Sequence, residues 1–314
     1  MPQSESQPLR IGTRGSKLAK VQAELVQRLL LEKTGTRCEL VIVKTTGDRI
    51  LDRPLADAGG KGLFTKELEE ALLQDEIDLA VHSMKDVPVA MPAGLTIAAL
   101  LPREDARDAF LSLKAETLQD LPKGAVVGTS SVCRSAQVMR ARPDLEIRLL
   151  RGNVDTRLAK LDAGEYDAIL LAMAGLRRLG LESRVTSILP MEQWLPALAQ
   201  GAIGIETREN DSRMAGVAAL NDETTAITLA CERAFQAALD GSCRSSIGGY
   251  ARWRNGHLTF EGEVLSHDGS GYAVEQIDMK LSGKTAKDRV AEAARLGNDA
   301  GLSLKPRVEQ WLQR

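Results

Sequence analysis

Twice in the middle of this chain a short apolar run breaks off into a turn carrying hydroxyls and arginine, and the turn opens a segment with helical spacing. The first is Ala125-Val126-Val127 followed by Gly128-Thr129-Ser130-Ser131-Val132-Cys133-Arg134. The second is Ile147-Arg148-Leu149-Leu150 followed by Arg151-Gly152-Asn153-Val154-Asp155-Thr156-Arg157. Strand, turn and helix in repeated order constrain the chain to an α/β sheet, and in open parallel sheets ligands bind beyond the carboxyl ends of the strands. Helix N-termini there add free N–H groups and positive dipole, and a guanidinium fork matches a carboxylate or phosphate in two-point contact. Either turn alone has a plainer account, with Ser130 or Ser131 as an N-cap and solvated arginines. The recurrence favours a site for an anionic ligand.

Other apolar runs end in the same way. Leu9–Thr13 runs into Arg14-Gly15-Ser16, where Ser16 is placed to cap a helix whose Leu18, Val21, Leu25 and Leu29 recur at helical spacing. Glu39–Lys44 runs into Thr45–Asp48, Asp78–Val81 into His82–Pro88, and Tyr166–Leu171 into a segment closing on Arg178. Pro88 and Pro92 bar a helix after Val81, which leaves Lys85 and Asp86 on a turn at a strand end. Residues 49–62 are polar and glycine-bearing without the order of a phosphate loop, and read as a mobile flap. Gly201–Glu206 reads as a strand crossing back to the first unit. The expected fold is α/β: two doubly wound, periplasmic-binding-protein-like domains around a cleft, with a small α+β third domain. Residues 1–102 with 200–220 form the first, 103–199 the second and 221–314 the third. In the third, a helix from Thr224 carries Ile227, Cys231, Ala234, Phe235 and Ala238 on one face. Alternating segments follow, then an alanine-rich helix from about Thr285 that ends at Gly297.

Composition narrows the function. A formal net charge of −2 gives no footing for nucleic acid or an anionic membrane surface, and 3% aromatic residues leave little for base stacking. No apolar run approaches the ~20 residues of a membrane span, and Met1–Pro8 lacks a signal-peptide core, so a cytoplasmic protein is expected. The four cysteines show no paired spacing and the three histidines no metal motif, so neither a disulfide framework nor a metal is expected. Arg14, Lys85, Arg134, Arg151, Arg157 and Arg178 stand at strand ends and would repel one another without a ligand bearing several negative groups. Asp86 is the acid among them, suited to steering a cationic or protonatable part of that ligand, or more plainly to pairing with Lys85. Cys243 sits beside Arg244 in a glycine-serine loop, which suits a covalent attachment point; no Cys–His pairing accompanies it.

Ser83-Met84-Lys85-Asp86-Val87-Pro88, Arg151–Arg157, Ala199–Glu206 and Gly241-Ser242-Cys243 resemble the porphobilinogen deaminase family, also called hydroxymethylbilane synthase, in unbroken order from Leu9 to about Tyr250. The resemblance implies a monomeric transferase that condenses four porphobilinogen molecules into 1-hydroxymethylbilane for haem biosynthesis, with loss of ammonia. It implies a dipyrromethane cofactor bound as a thioether to Cys243, with Asp86 as the catalytic acid. Lys85, Ser83, Asp48, Thr129, Ser131, Arg134 and Arg157 would hold the cofactor, and Arg14, Ser16, Arg151 and Arg178 the substrate. The chain departs from the family pattern at Cys133, where an arginine is usual, and at Ser245-Ser246, where a residue-proline pair is usual. The first departure implies a weakened carboxylate clamp. The competing reading is a non-catalytic, two-lobed anion-binding protein, which would need neither Asp86 among cations nor Cys243 in a third domain.

Overall fold

Leu9–Arg14 forms strand β1, and Ser16 then caps helix α1 (Lys17–Thr34) by accepting a hydrogen bond from the Ala19 amide. Gly35, in the left-handed conformation at φ 69°, ends α1 and turns the chain into β2 (Cys38–Val43). The single turn α2 (Thr46–Arg49) follows, then α3 (Lys66–Leu73), β3 (Leu79–Ser83), a 3₁₀ turn at Met84–Asp86, and β4 (Leu95–Leu100). The second unit holds β5 (Asp108–Ser112), β6 (Val126–Thr129), α4 (Val132–Ala141), β7 (Glu146–Leu149), α5 (Val154–Asp162), β8 (Ala168–Ala172), α6 (Met173–Arg178) and β9 (Ser187–Ile188). The chain continues through β10 (Ile203–Arg208), α7 (Glu223–Ala238), β11 (Ile247–Arg254), β12 (His257–Leu265), β13 (Tyr272–Lys280) and α8 (Ala286–Leu312). These elements belong to a computed structural model that describes residues 7–49, 62–239 and 245–312.

Two five-stranded sheets share one topology. The first runs β2-β1-β3-β10-β4 and the second β7-β6-β8-β5-β9. In each, three strands are parallel and the fourth, β10 or β5, runs antiparallel between its neighbours. That repeat is why the basic turns recur: each parallel strand delivers its turn to the same end of its sheet. Ile11, Leu79, Val81 and Ile205 meet Ala23, Val26 and Leu30 of α1 in one core, and Phe110, Val127 and Leu170 meet Val138 of α4 in the other. The units approach where Lys17 Nζ lies 3.9 Å from Asp155 of α5, and where Leu18 packs on Gly175 of α6.

The third unit is an antiparallel sheet, β11-β12-β13, with α7 and α8 packed on it. Phe235 and Phe260 meet edge-to-face at 4.9 Å in its core, a geometry worth ~0.5–1.5 kcal/mol beyond the area buried. Here the sequence expectation needs correction: α8 does not stop at Gly297 but continues to Leu312. A Cβ at Gly297 would lie 2.1 Å from the Cys231 carbonyl oxygen, so the glycine serves a close crossing of α8 over α7 and not a helix end. Sequence alone shows only that glycine weakens a helix.

One side chain ties all three units together. Glu232 of α7, wholly buried, accepts from Arg103 Nη1 at 2.6 Å and Nη2 at 3.1 Å, from the Ala199 amide at 2.6 Å and from the Ala251 amide at 2.9 Å. Arg103 and Ala199 lie on the two chain crossings between the sheets, and Ala251 lies on β11. Among the described residues no helix is long and apolar enough to cross a membrane.

Candidate active site

The site grows from the end of β3. Met84 is buried against Gly204 of β10, where a Cβ would come within 2.1 Å of its sulfur, and its amide donates to the Ala202 carbonyl at 3.0 Å. Arg233 of α7 reaches over from the third unit and donates to the Val87 carbonyl at 3.0 Å and the Pro88 carbonyl at 2.8 Å. With Met84 pinned and the following backbone held, Lys85 and Asp86 turn outward from the sheet. Lys85 keeps solvent-accessible surface, yet the protein crowding around its ammonium, followed by the nearby Arg134 charge, lowers its pKa to about 8. Because water still reaches the group, that shift is not counted as stability.

Arg134 reaches inward from the first turn of α4. It donates through Nε to Asp108 Oδ2 at 2.9 Å, through Nη2 to Asp108 Oδ1 at 2.6 Å, and through Nη1 to the Leu170 carbonyl at 3.0 Å. Asp108 also accepts from Trp194 Nε1 at 3.1 Å and from Gln200 Nε2 at 2.6 Å. Burial alone would push the Asp108 carboxyl up, but the Arg134 charge and hydrogen bond, with Gln200 and Lys85, hold it below its ordinary value. Gln200 is the hinge of this arrangement: its Oε1 accepts from Lys85 Nζ at 3.1 Å and from Arg134 Nη2 at 3.2 Å. Its inward pose follows from left-handed backbone on either side, at Ala199 (φ 60°) and Gly201 (φ 89°); a Cβ at Gly201 would strike the Glu104 carbonyl oxygen at 2.4 Å.

The second turn completes the cluster. Arg157 donates through Nε to the Gly152 carbonyl at 2.8 Å, and burial, then the Arg134 and Arg151 charges, lowers its pKa to about 10. Arg151 is buried, which lowers its pKa as well. Asp86 opposes this on both sides, favouring the charged forms of Lys85 and Arg157. Lys85, Arg134, Arg151 and Arg157 thus stand in one electrostatic neighbourhood against Asp86 and Asp108, four cations to two carboxylates. A cleft with that surplus binds anions.

The remaining candidates lie differently. Arg14 forms a two-point ion pair with Asp48, which also accepts from Thr45 Oγ1 at 2.7 Å, and its guanidinium stacks over Phe64 at 4.0 Å. Arg178 donates through Nη2 to the Gly201 carbonyl at 2.6 Å, and burial lowers its pKa to about 10. Ser16 and Ser131 are N-caps, Ser131 accepting from the Arg134 amide at 3.3 Å, and Thr129 Oγ1 accepts from the Ser131 amide at 3.1 Å. The capping expected of Ser16 and Ser131 therefore holds, but Arg134 is buried and not a solvated helix residue, and each of the three hydroxyls retains an O–H to donate. Ser83 pairs with the side chain of Gln22 on α1, at 3.0 and 3.2 Å. Cys243, and most of the flap assigned to residues 49–62, lie outside the described residues.

Asp108 and Gln200 were not singled out from sequence. Asp108 carries a legible signal, an acid opening the otherwise apolar strand Asp-Ala-Phe-Leu-Ser; Gln200 stands within a quoted motif but shows no charge to draw notice. Cys133 is buried on α4, with burial and then the nearby Glu263 and Asp108 carboxylates pushing its thiol well above the ordinary range. Position 133 therefore faces carboxylates as well as the cleft cations.

Family models decide what this cationic cleft belongs to. Residues 9–216 match the model described as porphobilinogen deaminase, dipyromethane cofactor binding domain, and residues 226–305 the model described as porphobilinogen deaminase, C-terminal domain. The chain belongs to the porphobilinogen deaminase family. It is 51% identical to the porphobilinogen deaminase of Nitrobacter hamburgensis over 302 residues, covering 95% of this chain and 93% of that one. It is 49% identical to the chloroplastic porphobilinogen deaminase of Pisum sativum over 314 residues, covering 98% and 83%. Among solved structures, an ABC-transporter periplasmic substrate-binding protein from Coxiella burnetii is similar at a TM-score of 0.44 and 14% identity, over 68% of this chain and 91% of that one. Membership in a family of deaminases weighs against the non-catalytic receptor reading.

Removing one partner of a buried ion pair typically costs ~3–5 kcal/mol, because the other charge is stranded. Asp108→Asn strands Arg134 and should destabilise this porphobilinogen deaminase family member by that order at pH 7 in urea unfolding. Since the Asp108 pKa is held below 3.8, its contribution is present above that value and lost only as pH falls through the lowered one. The gap between variant and parent should persist at pH 5; a gap already closed there would contradict the assignment.

Proposed function

We propose that this chain is the transferase that joins four porphobilinogen molecules head to tail into 1-hydroxymethylbilane, releasing ammonia at each addition, on a dipyrromethane held as a thioether by Cys243. The observation that carries this reading is the cluster of Lys85, Arg134, Arg151 and Arg157, with Asp108 fixed on Arg134 and Asp86 beside Lys85 and Arg157. Each pyrrole ring of porphobilinogen carries an acetate and a propionate, so a growing chain is a polycarboxylate, and a cationic surplus of this kind suits it. When bound, the dipyrromethane supplies the free pyrrole carbon on which the product is built.

The chain's own residues supply binding and charge control. Lys85, Arg134 and Arg157, with Ser83, Asp48, Thr129 and Ser131, are assigned to the cofactor side, and Arg14, Ser16, Arg151 and Arg178 to the substrate carboxylates. Arriving carboxylates favour the ammonium form of Lys85, whose pKa of about 8 leaves it part neutral without them. Loss of ammonia from the substrate aminomethyl group leaves positive charge on the ring system. Asp86 is assigned to accept the pyrrole N–H, to balance that charge, and to take the proton released when the rings join. The same reading has the enzyme acting as a monomer in the cytoplasm.

General acid–base groups typically contribute ~10²–10⁴-fold in rate, so Asp86→Asn should cut bilane formation by at least a hundredfold in folded protein. If Asp48→Asn or Asp155→Asn were crippling and Asp86→Asn mild, the acid would be misassigned. Cys133 leaves the clamp one guanidinium short. A hydrogen bond to a charged group is worth ~1.5–3 kcal/mol, so Cys133→Arg should raise bilane formation at low substrate by roughly ten- to a hundredfold. Because Glu263 lies near position 133, the double change Cys133→Arg with Glu263→Gln should gain more than the single one. Equal rates in all three chains would mean that position 133 is neutral.

A further inference from the structure

The face of α4 turned to the third unit carries polar groups that the cleft chemistry does not use. Gln137 donates through Nε2 to the Leu195 carbonyl at 2.7 Å and to Glu263 Oε1 of β12 at 2.7 Å. One turn on, the Arg140 guanidinium lies 3.5 Å from the centre of the Tyr272 ring. Between these elements is a cavity of about 320 Å³, lined among others by Gln137, Arg140, Glu192, Glu261, Glu263 and Tyr272. Asp86 and the cleft cations Lys85, Arg134, Arg151 and Arg157 do not line it.

Acceptors outnumber donors in this cavity. Gln137 is 5% exposed, and its Oε1 is buried with no hydrogen-bond partner among the described residues. Glu263 is 3% exposed, and burial pushes its pKa to about 7 against the Gln137 hydrogen bond and the Arg140 charge. Glu261 accepts one bond, from Gln276 Nε2 at 3.0 Å. The other titratable groups facing Glu263 are Tyr272 and the buried Cys133, both with raised pKa values. Glu261, the buried Glu263 and the bare amide oxygen thus face one lining guanidinium, Arg140, while Glu192 is exposed and lies in the field of Arg107. A buried carboxylate without enough cation near it either keeps a proton or recruits a positive partner.

We propose that this cavity, between α4 and β12, binds a small primary-ammonium cation. An ammonium has three N–H donors, enough to bridge the bare Gln137 Oε1 to Glu263 and to a neighbouring carboxylate. No grouping of three or more His, Cys, Asp or Glu suited to a metal ion occurs among the described residues, so the donor-rich organic cation fits better than a divalent metal. Binding displaces the Glu263 proton to solvent. With a pKa of about 7, about a tenth of Glu263 is ionised at pH 6 and about nine-tenths at pH 8, so affinity should rise roughly tenfold between them.

The test is calorimetric titration of the full-length enzyme with methylammonium chloride, against tetramethylammonium chloride and potassium chloride at matched ionic strength. The expected result is saturable binding in the millimolar range, the ceiling for so small a ligand, seen with methylammonium alone and tighter at pH 8 than at pH 6. Glu263→Gln, which keeps the side-chain shape, should abolish it in protein whose circular dichroism matches the parent; Glu261→Gln should weaken it. Binding that persists in Glu263→Gln would belong to the catalytic cleft and would overturn the proposal, as would an equal response to tetramethylammonium or potassium.

Discussion

The buried carboxylate of Asp108 is what allows cations from several strand ends to stand together before any ligand arrives. Arg134 is desolvated, and Lys85 and Arg157 lie within its field; burial first and that field second lower both of their pKa values. Without a fixed anion beneath them, the desolvation and mutual repulsion of these groups would exceed what hydrogen bonds to neutral carbonyls return. Asp108 satisfies both of its oxygens, on Arg134, Trp194 and Gln200, and so is fixed in place as well as charged. A site preorganised in this way binds its anion without first rebuilding its charge balance.

The amide of Gln200 extends that control across the cleft. Lys85 comes from the first sheet and Arg134 from a helix of the second, and one neutral oxygen accepts from both. A carboxylate at the same point would satisfy the two cations internally and leave less for a ligand; an amide orients them and keeps their charge. Its position depends on the bend at Ala199–Gly201, and the Ala199 amide is in turn held by Glu232, which also grips Arg103 and Ala251. The geometry of the cation cluster is therefore tied to the packing of the third unit, and so is the turn bearing Asp86, through Arg233.

Much of this was legible in the sequence. Strand–turn–helix repetition pointed to two α/β sheets, and the basic turns to an anion site, because period and turn chemistry are local properties. The Gly297 misreading shows the limit: a glycine that ends a helix and one that admits a neighbouring backbone look alike in one dimension. Asp108 and Gln200 escaped notice for a related reason, since their roles exist only once β5 and the 199–201 bend meet Arg134. Ser131 shows the two roles a motif hydroxyl can combine: its oxygen caps α4 while its O–H stays free to donate. Glu263 left no trace at all, because an acid on an antiparallel strand is ordinarily solvent-facing, and it takes Gln137 of α4 and Gly248 of β11 to enclose it.

Central to this account is the proposal that the cationic cleft holds a polycarboxylate anchored through the thioether of Cys243. The most direct measurement is the denatured intact mass of purified, active protein beside that of Cys243→Ser. The account predicts a mass above that of the chain by two linked pyrrole units, and an unmodified chain in the serine variant. An active enzyme with the bare chain mass, or an increment that survives in Cys243→Ser, would contradict it.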